Sequence, residues 1–215
     1  MKYGIIGYSG RMGREIDALF REKGHEFALG IDDKKAEIVS NPEVLIDFSL
    51  PFALEKTLDL ISKYKCPLIS GVTGYTAEQM NLIRALANTV PVVQSFNFSP
   101  GIQLMLKMTR LLKESLKDWD VEISETHHRF KKDKPSGTAK MLAAAVGREV
   151  PISSLRLGNI PGDHTIAFGG LGEILSISHR VLSRRTFAEG VILSADFALR
   201  RESGYFTFTD VLFQE

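Results

Sequence analysis

Short apolar runs alternate with helical patterns along the first hundred residues of the chain. Tyr3-Gly4-Ile5-Ile6 has the length and composition of a buried strand. Glycines follow, and Met12, Ile16, Leu19 and Phe20 then share one face of a helix that Gly24 is placed to end. Residues 27–31 predict a second strand, and Val44-Leu45-Ile46-Asp47-Phe48 a third. Ser49 stands where a helix cap belongs, with Pro51 in the first turn and Leu54, Leu58 and Ile61 as the buried stripe. Residues 67–70 read as a fourth strand and 90–94 as a fifth. Between them Thr76-Ala77-Glu78-Gln79 is a capping box, opening a helix through Met80, Ile83 and Leu86. This alternation implies right-handed crossovers and an α/β fold with a doubly wound parallel sheet of the Rossmann kind.

The rhythm changes near Ser99-Pro100-Gly101. A long helix is expected over 102–116, a strand over 120–126, and further strands over 166–170 and 173–181. In the last, Leu175, Ile177, His179 and Val181 alternate with Ser176, Ser178 and Arg180, the period of a half-exposed antiparallel sheet. Residues 186–201 fit a helix returning to the first domain. The expected organisation is a dinucleotide-binding domain of 1–98 plus 186–215, and a second, α+β domain of 99–185. The crossings at 95–99 and near Thr186 are the expected hinge.

The 215 residues suffice for one large core or two modest ones, and the mix of 44% hydrophobic and 25% charged residues is ordinary for a globular protein. Lys plus Arg number 27 against 26 Asp plus Glu, so nothing points to nucleic acid and any basic function has to be local. The one cysteine, Cys66, excludes an intrachain disulfide and a thiolate metal cluster. No signal-peptide pattern opens the chain, and no run approaches the roughly 18 apolar residues of a membrane helix. A cytoplasmic location without a membrane partner is expected.

Gly7-Tyr8-Ser9-Gly10-Arg11-Met12-Gly13 lies between the first strand and the first helix. Glycines there let the backbone turn tightly and approach a pyrophosphate, whose charge the helix N-terminus meets. A plain tight turn reads the same way, and Ser9 takes a place usually held by glycine. Asp32, ending the second strand, is where a carboxylate accepts hydrogen bonds from an adenosine ribose. Lys34 and Lys35 are open to two readings: partners for the 2′-phosphate of NADP, or a solvated charged turn. Use of both NADH and NADPH is expected. Gly71-Val72-Thr73-Gly74 and Ser95-Phe96-Asn97-Phe98 follow strand C-termini, the edge where open α/β sheets bind ligands, so both loops are expected to face the cofactor.

The densest chemistry lies in Glu125-Thr126-His127-His128-Arg129-Phe130-Lys131-Lys132-Asp133-Lys134-Pro135-Ser136-Gly137-Thr138. Two histidines and four cationic residues follow a strand, and Ser136 is placed to cap a helix over 139–150. A helix start offers N–H groups to an anion, which suits a dicarboxylate. Histidine exchanges protons near neutral pH, and lysine can serve as a general acid. A charged surface loop is the plainer alternative for any one of these residues. His25, His164 and His179 stand isolated, and no metal site is expected.

The run His127-His128-x-x-Lys131-x-Asp133-x-Pro135-Ser136-Gly137-Thr138-Ala139 resembles the signature segment of the dihydrodipicolinate reductases. Gly10-Arg11-Met12-Gly13 is similar to that family's nucleotide loop, and Gly71-Val72-Thr73-Gly74 and Asn97-Phe98-Ser99 to its cofactor and hinge segments. Gly162-Asp163-His164-Thr165 and Ser183-Arg184-Arg185-Thr186-Phe187-Ala188 are similar to later ones. The resemblance implies NAD(P)H-dependent reduction of 4-hydroxy-tetrahydrodipicolinate with loss of water, in lysine and diaminopimelate biosynthesis. It implies His127 as proton donor or acceptor, Lys131 as general acid, and His128, Gly137 and Thr138 as holders of the substrate carboxylates. It also implies a homotetramer joined through sheet edges of the second, substrate and oligomerisation domain. Asp163 stands where Glu is more usual, Phe130 where some members have His, and the chain is short for the family. Another reductase of the same plan would explain the nucleotide loop but not the 131–138 run. A nucleotide-sensing regulator would need a basic or winged-helix surface that the sequence lacks.

Overall fold

The first apolar run becomes β1 (Lys2–Ile6), buried from Tyr3 onward. It pairs in parallel with β2 (Glu26–Ile31) on one side and β4 (Val44–Asp47) on the other. β5 (Leu68–Ser70), β6 (Pro91–Gln94) and β11 (Gly204–Phe206) continue in parallel beyond β4, while β3 (Ala36–Ile38) runs antiparallel beside β2. The order across the seven strands is β11-β6-β5-β4-β1-β2-β3. Both faces of a parallel sheet are covered, which is why these strands read as unbroken apolar runs. On one face Tyr3, Ile5 and Val93 meet Ile16 and Phe20 of α1 (Arg11–Glu22) and Val191 of α6 (Arg185–Ala198). On the other, Leu29, Leu45 and Leu68 meet Ile61 of α2 (Leu54–Tyr64) and Ile83 of α3 (Ala77–Leu86).

The computed structural model describes residues 1–33 and 35–214. Two compact units divide the chain, Met1–Phe98 with Arg185–Glu215, and Ser99–Arg184. The parallel sheet belongs to the first. In the second, α4 (Pro100–Ser115) and α5 (Gly137–Val146) cover a four-stranded sheet ordered β10-β9-β7-β8. Its strands are β7 (Asp120–His127), β8 (Ile152–Arg156), β9 (Asp163–Gly169) and β10 (Ile174–Arg180). β7 is parallel to β8 and antiparallel to β9, and β9 is antiparallel to β10. Ile102, Leu106 and Leu142 from the helices close over Ile123, Ile166 and Phe168.

Several local expectations give way to competing contacts. Ser49 caps no helix: its N–H and hydroxyl both donate to Asp47 Oδ1, at 2.9 and 2.5 Å, and a 3-10 turn (Pro51–Ala53) leads into α2. The helix expected over 139–150 stops at Val146, because Gly147 takes the left-handed conformation at φ +79°. In β10 the alternation shelters only Ile177 and His179; Leu175 remains 41% exposed on this edge strand. The Thr76–Gln79 capping box forms with both reciprocal hydrogen bonds. No helix among the described residues is long and apolar enough to cross a membrane.

Candidate active site

In the first unit the glycine-rich turn is shaped by close backbone contacts. Gly7 sits at φ +83°, and a Cβ there would lie 2.9 Å from the carbonyl oxygen of Phe48. A Cβ on Gly13 would lie 2.3 Å from the oxygen of Gly7, so α1 can begin this tightly against the turn only with glycine. The Ser9 N–H donates to both carboxylate oxygens of Asp32, at 3.1 and 3.0 Å, which pins Asp32 at the wall of the cavity beside the turn. That cavity has a volume of about 690 Å³, and its lining includes Gly7, Ser9, Gly10, Asp32 and Lys35, with Phe48 and Phe52 as its apolar side. A glycine turn without Cβ atoms, an acidic residue and an apolar wall fit a dinucleotide.

The remaining nucleotide-loop candidates divide by side-chain direction. Tyr8 packs on Phe27 and places its hydroxyl 3.4 Å from Asp17, in a neighbouring recess with Gly30 and Asp32. Arg11 is exposed at the start of α1, whereas Met12 packs on the core. Gly71 follows β5 against the Phe48 ring, and Thr73 is exposed. Phe96 is exposed and Asn97 half-buried, while the Ser95 hydroxyl turns back to donate to the Asn97 carbonyl at 2.9 Å. Val72 and Phe98 differ from their loop neighbours in exposure. Both are buried, Phe98 between Phe48 and Phe208, which leaves only their backbone for a ligand. Lys34 lies outside the described residues.

In the second unit β7 delivers the histidine segment. Its buried face carries Val121, Ile123, Glu125 and His127 in strict alternation. Glu125 is 1% exposed and is gripped by Arg156 of β8, whose two terminal nitrogens donate at 2.9 Å to one carboxylate oxygen each. The Ser136 N–H donates to Glu125 Oε1 at 3.2 Å, and Glu125 Oε2 contacts His127 Nδ1. Burial alone would raise the Glu125 pKa, but Arg156 and His127 outweigh it and hold it down at about 2. Burial lowers the His127 pKa, opposed by Glu125 and aided by Lys131 and Arg156. The balance favours the neutral ring.

Beyond His127 the chain turns through His128 and Lys131 before α5 starts. The Lys131 ammonium lies 2.7 Å from Asp133 Oδ1. Ser136 caps α5 as expected, accepting from the Ala139 N–H, so Gly137 and Thr138 occupy the first turn. Thr138 is buried there and Gly137 exposed. His164 departs from its expected isolation: its ring meets His127 edge-on at 5.1 Å, and its Nε2 lies 3.1 Å from the Ser136 hydroxyl. The residue pattern places neither Arg156 nor His164 at the site, because β8 gives no signal and the strand expected over 166–170 begins two residues after His164. Glu125 had a signal, since a carboxylate in the inward register of Val121 and Ile123 demands partners. Among the described residues no group of His, Cys, Asp and Glu could hold a metal.

Comparison with known proteins covers nearly the whole chain. Residues 1–98 match the family model of the dihydrodipicolinate reductase N-terminus, and residues 101–212 that of its C-terminus. A 4-hydroxy-tetrahydrodipicolinate reductase of Thermosipho africanus is 47% identical over 214 residues, covering 99% of this chain and 98% of that protein. The dipicolinate-bound dihydrodipicolinate reductase from Paenisporosarcina sp. TG-14 superposes with a TM-score of 0.80 at 25% identity, covering 96% and 97% of the two chains. A myo-inositol dehydrogenase from Corynebacterium glutamicum shares the fold alone, with a TM-score of 0.61 at 11% identity and coverage of 99% and 92%.

Proposed function

The chain belongs to the dihydrodipicolinate reductase family, and from that premise we propose which of its residues carry the reaction. It is an oxidoreductase of lysine and diaminopimelate biosynthesis, a 4-hydroxy-tetrahydrodipicolinate reductase using NADH or NADPH. In balance, the substrate, NAD(P)H and one proton give tetrahydrodipicolinate, NAD(P)⁺ and water. The reduced nicotinamide supplies hydride when bound. What the chain must supply is a place for two carboxylates and groups that give and take protons.

The first unit is assigned to the nucleotide and the second to the dicarboxylate. Asp32 is proposed to accept from the adenosine ribose and the Gly7–Gly13 turn to hold the pyrophosphate, supported by the Ser9–Asp32 hydrogen bonds and the cavity beside them. His127, neutral and with Nδ1 against Glu125, takes or returns a proton at Nε2, and Lys131 donates one as an ammonium. His128 and the α5 N-terminus at Gly137 and Thr138 hold the carboxylates. The observation that carries this reading is the convergence of His127 and the capped start of α5 on the buried Glu125 carboxylate, with Arg156 tying the Lys131 backbone to the same group. Mixing the protein with NADPH and freshly made 4-hydroxy-tetrahydrodipicolinate should consume NADPH absorbance in proportion to substrate. His127→Ala with normal turnover would overturn the assignment.

Two further parts belong to the proposal. Assembly as a homotetramer through the second unit is supported by the exposed Leu155 and Leu157 near edge strand β8, and Ile174 and Leu175 on edge strand β10. Light scattering at micromolar concentration should report about four times the chain mass, and a monomer overturns it. A cytoplasmic location is proposed from the biosynthetic role.

A further inference from the structure

Glu125 is an ionised, buried side chain to which the reaction assigns no step. A carboxylate in that position has to be fully partnered, and every partner here is a donor. Two come from Arg156 at 2.9 Å each, one from the Ser136 N–H at 3.2 Å, and the last is His127 Nδ1. An ionised carboxylate only accepts, so the proton in the Glu125–His127 contact resides on Nδ1. In the neutral ring Nε2 then holds the lone pair, and it faces Gly162, where a Cβ would stand 3.0 Å away. Arg156 reaches further. Its Nε donates to the carbonyl of Lys131 at 3.3 Å and a terminal nitrogen to the carbonyl of Asp133 at 2.5 Å. One guanidinium thus ties the carboxylate that holds His127 to the backbone that carries Lys131.

We infer that Glu125 and Arg156 are positioning residues for the reaction: Glu125 fixes the tautomer and ring orientation of His127, and Arg156 fixes the Lys131 loop relative to that ring. The inference rests on the roles proposed above for His127 and Lys131. Neither positioning residue exchanges a proton itself. The ionisable groups facing His127 are Glu125 on its own strand, Lys131 on the following loop, Arg156 on β8 and His164 on β9. Glu125 is the one anion among them, so its neutralisation lowers the His127 pKa further. Glutamine at 125 also has to aim its NH₂ at a group that is already a donor, because both oxygen positions face N–H groups.

Nitrogen-15 NMR of the His127 ring in the wild-type chain at pH 7.5 reads the tautomer without substrate or cofactor. A protonated Nδ1 and bare Nε2 are expected, and a protonated Nε2 overturns the inference. Glu125→Gln should lower kcat by roughly 10²-fold or more, the scale of a misoriented catalytic histidine. NADH affinity by fluorescence titration should not change, and the acid limb of the kcat/KM profile should move to lower pH. Glu125→Asp should recover part of kcat, and Arg156→Lys, which keeps the charge but loses the fork, should lower it. A folded Glu125→Gln protein with wild-type kcat and an unmoved acid limb overturns the inference. If Glu125→Gln does not fold, the wild-type tautomer decides. An active His127→Ala protein sinks the proposed roles themselves, whereas an inactive His127→Ala beside a normal Glu125→Gln sinks only the positioning.

Discussion

The hydroxyl of Ser136 lies 3.1 Å from Nε2 of His164. The same oxygen caps α5 by accepting from the Ala139 N–H at 3.2 Å, and it keeps a proton and a second lone pair for the ring. The buried surroundings of the His164 ring disfavour its charged form. Burial, with His127 beside it, pushes its pKa down to about 3. Ser99 repeats the arrangement, capping α4 and lying 3.1 Å from Nε2 of His179. Two helix caps thus each hold a histidine of paired strands, His164 of β9 opposite His179 of β10.

A base whose folded pKa is depressed stabilises the fold fully above its unfolded pKa, which for histidine is about 6.5. That stability is lost as pH falls from there towards the folded value, because the unfolded chain takes the proton first. For His164 the window runs from about 6.5 down to about 3. Between pH 7 and 5 the loss from this one ring is bounded at ~2 kcal/mol. Denaturant titrations should show stability falling over that interval, and His164→Gln should make the fall shallower. An identical slope in the variant would mean that His164 titrates normally.

Lys131 and His127 are assigned to proton transfer and Thr138 to binding, and kinetics separates the two roles. Lys131→Ala and His127→Ala should cut kcat by roughly 10²–10⁴-fold, as for a lost general acid or base. Thr138→Ala should chiefly raise KM for the dicarboxylate, since uniform binding leaves kcat alone. Neither Lys131→Ala nor Thr138→Ala should change KM for the nucleotide. Near-normal kcat in a folded Lys131→Ala protein would reduce that lysine to part of a charged pocket.

The sequence made the parallel sheet legible because β1, β2, β4, β5 and β6 are apolar runs buried along nearly their whole length, punctuated by helices with clear stripes. β3 and β11 are three residues each, too short for any period to register. β8 reads Ile-Ser-Ser-Leu-Arg, with no buried residue, so hydrophobicity could not announce it. That omission hid the most connected side chain of the site, Arg156. The histidine segment was visible as a cluster of chemistry, but its wiring was not. Whether Ser49 caps a helix or binds Asp47, and whether Phe98 faces a ligand or Phe208, depends on contacts between distant parts of the chain.

Cofactor choice should follow the end of β2. Asp32 is held by the Ser9 N–H and suits a ribose hydroxyl, whereas lysines at 34 and 35 suit a 2′-phosphate. Replacing both lysines with alanine should weaken NADPH more than NADH. Asp32→Ala should do the reverse. Equal losses for the two nucleotides, measured as Kd by fluorescence titration, would count against the assignment.

A methyl group introduced at Gly162 is the sharpest probe of the proton-transfer atom. This glycine carries no Cβ, and one built there would stand 3.0 Å from His127 Nε2, 3.4 Å from Cδ2 and 3.8 Å from His164 Cε1. Its backbone is not in the left-handed region, so alanine meets no conformational penalty and only the crowding counts. The His127 ring has little room to retreat, with Glu125 holding its far nitrogen and His164 packed edge-on. Overpacking of this kind costs about 1–3 kcal/mol, which a well-folded chain can absorb. The methyl would nonetheless sit over the lone pair that is proposed to take the proton. Gly162→Ala should therefore fold, bind NADH normally and lose kcat by at least about 10-fold, a fraction of the full general-base contribution. Wild-type kcat in a folded Gly162→Ala protein would mean that the proton does not pass through Nε2.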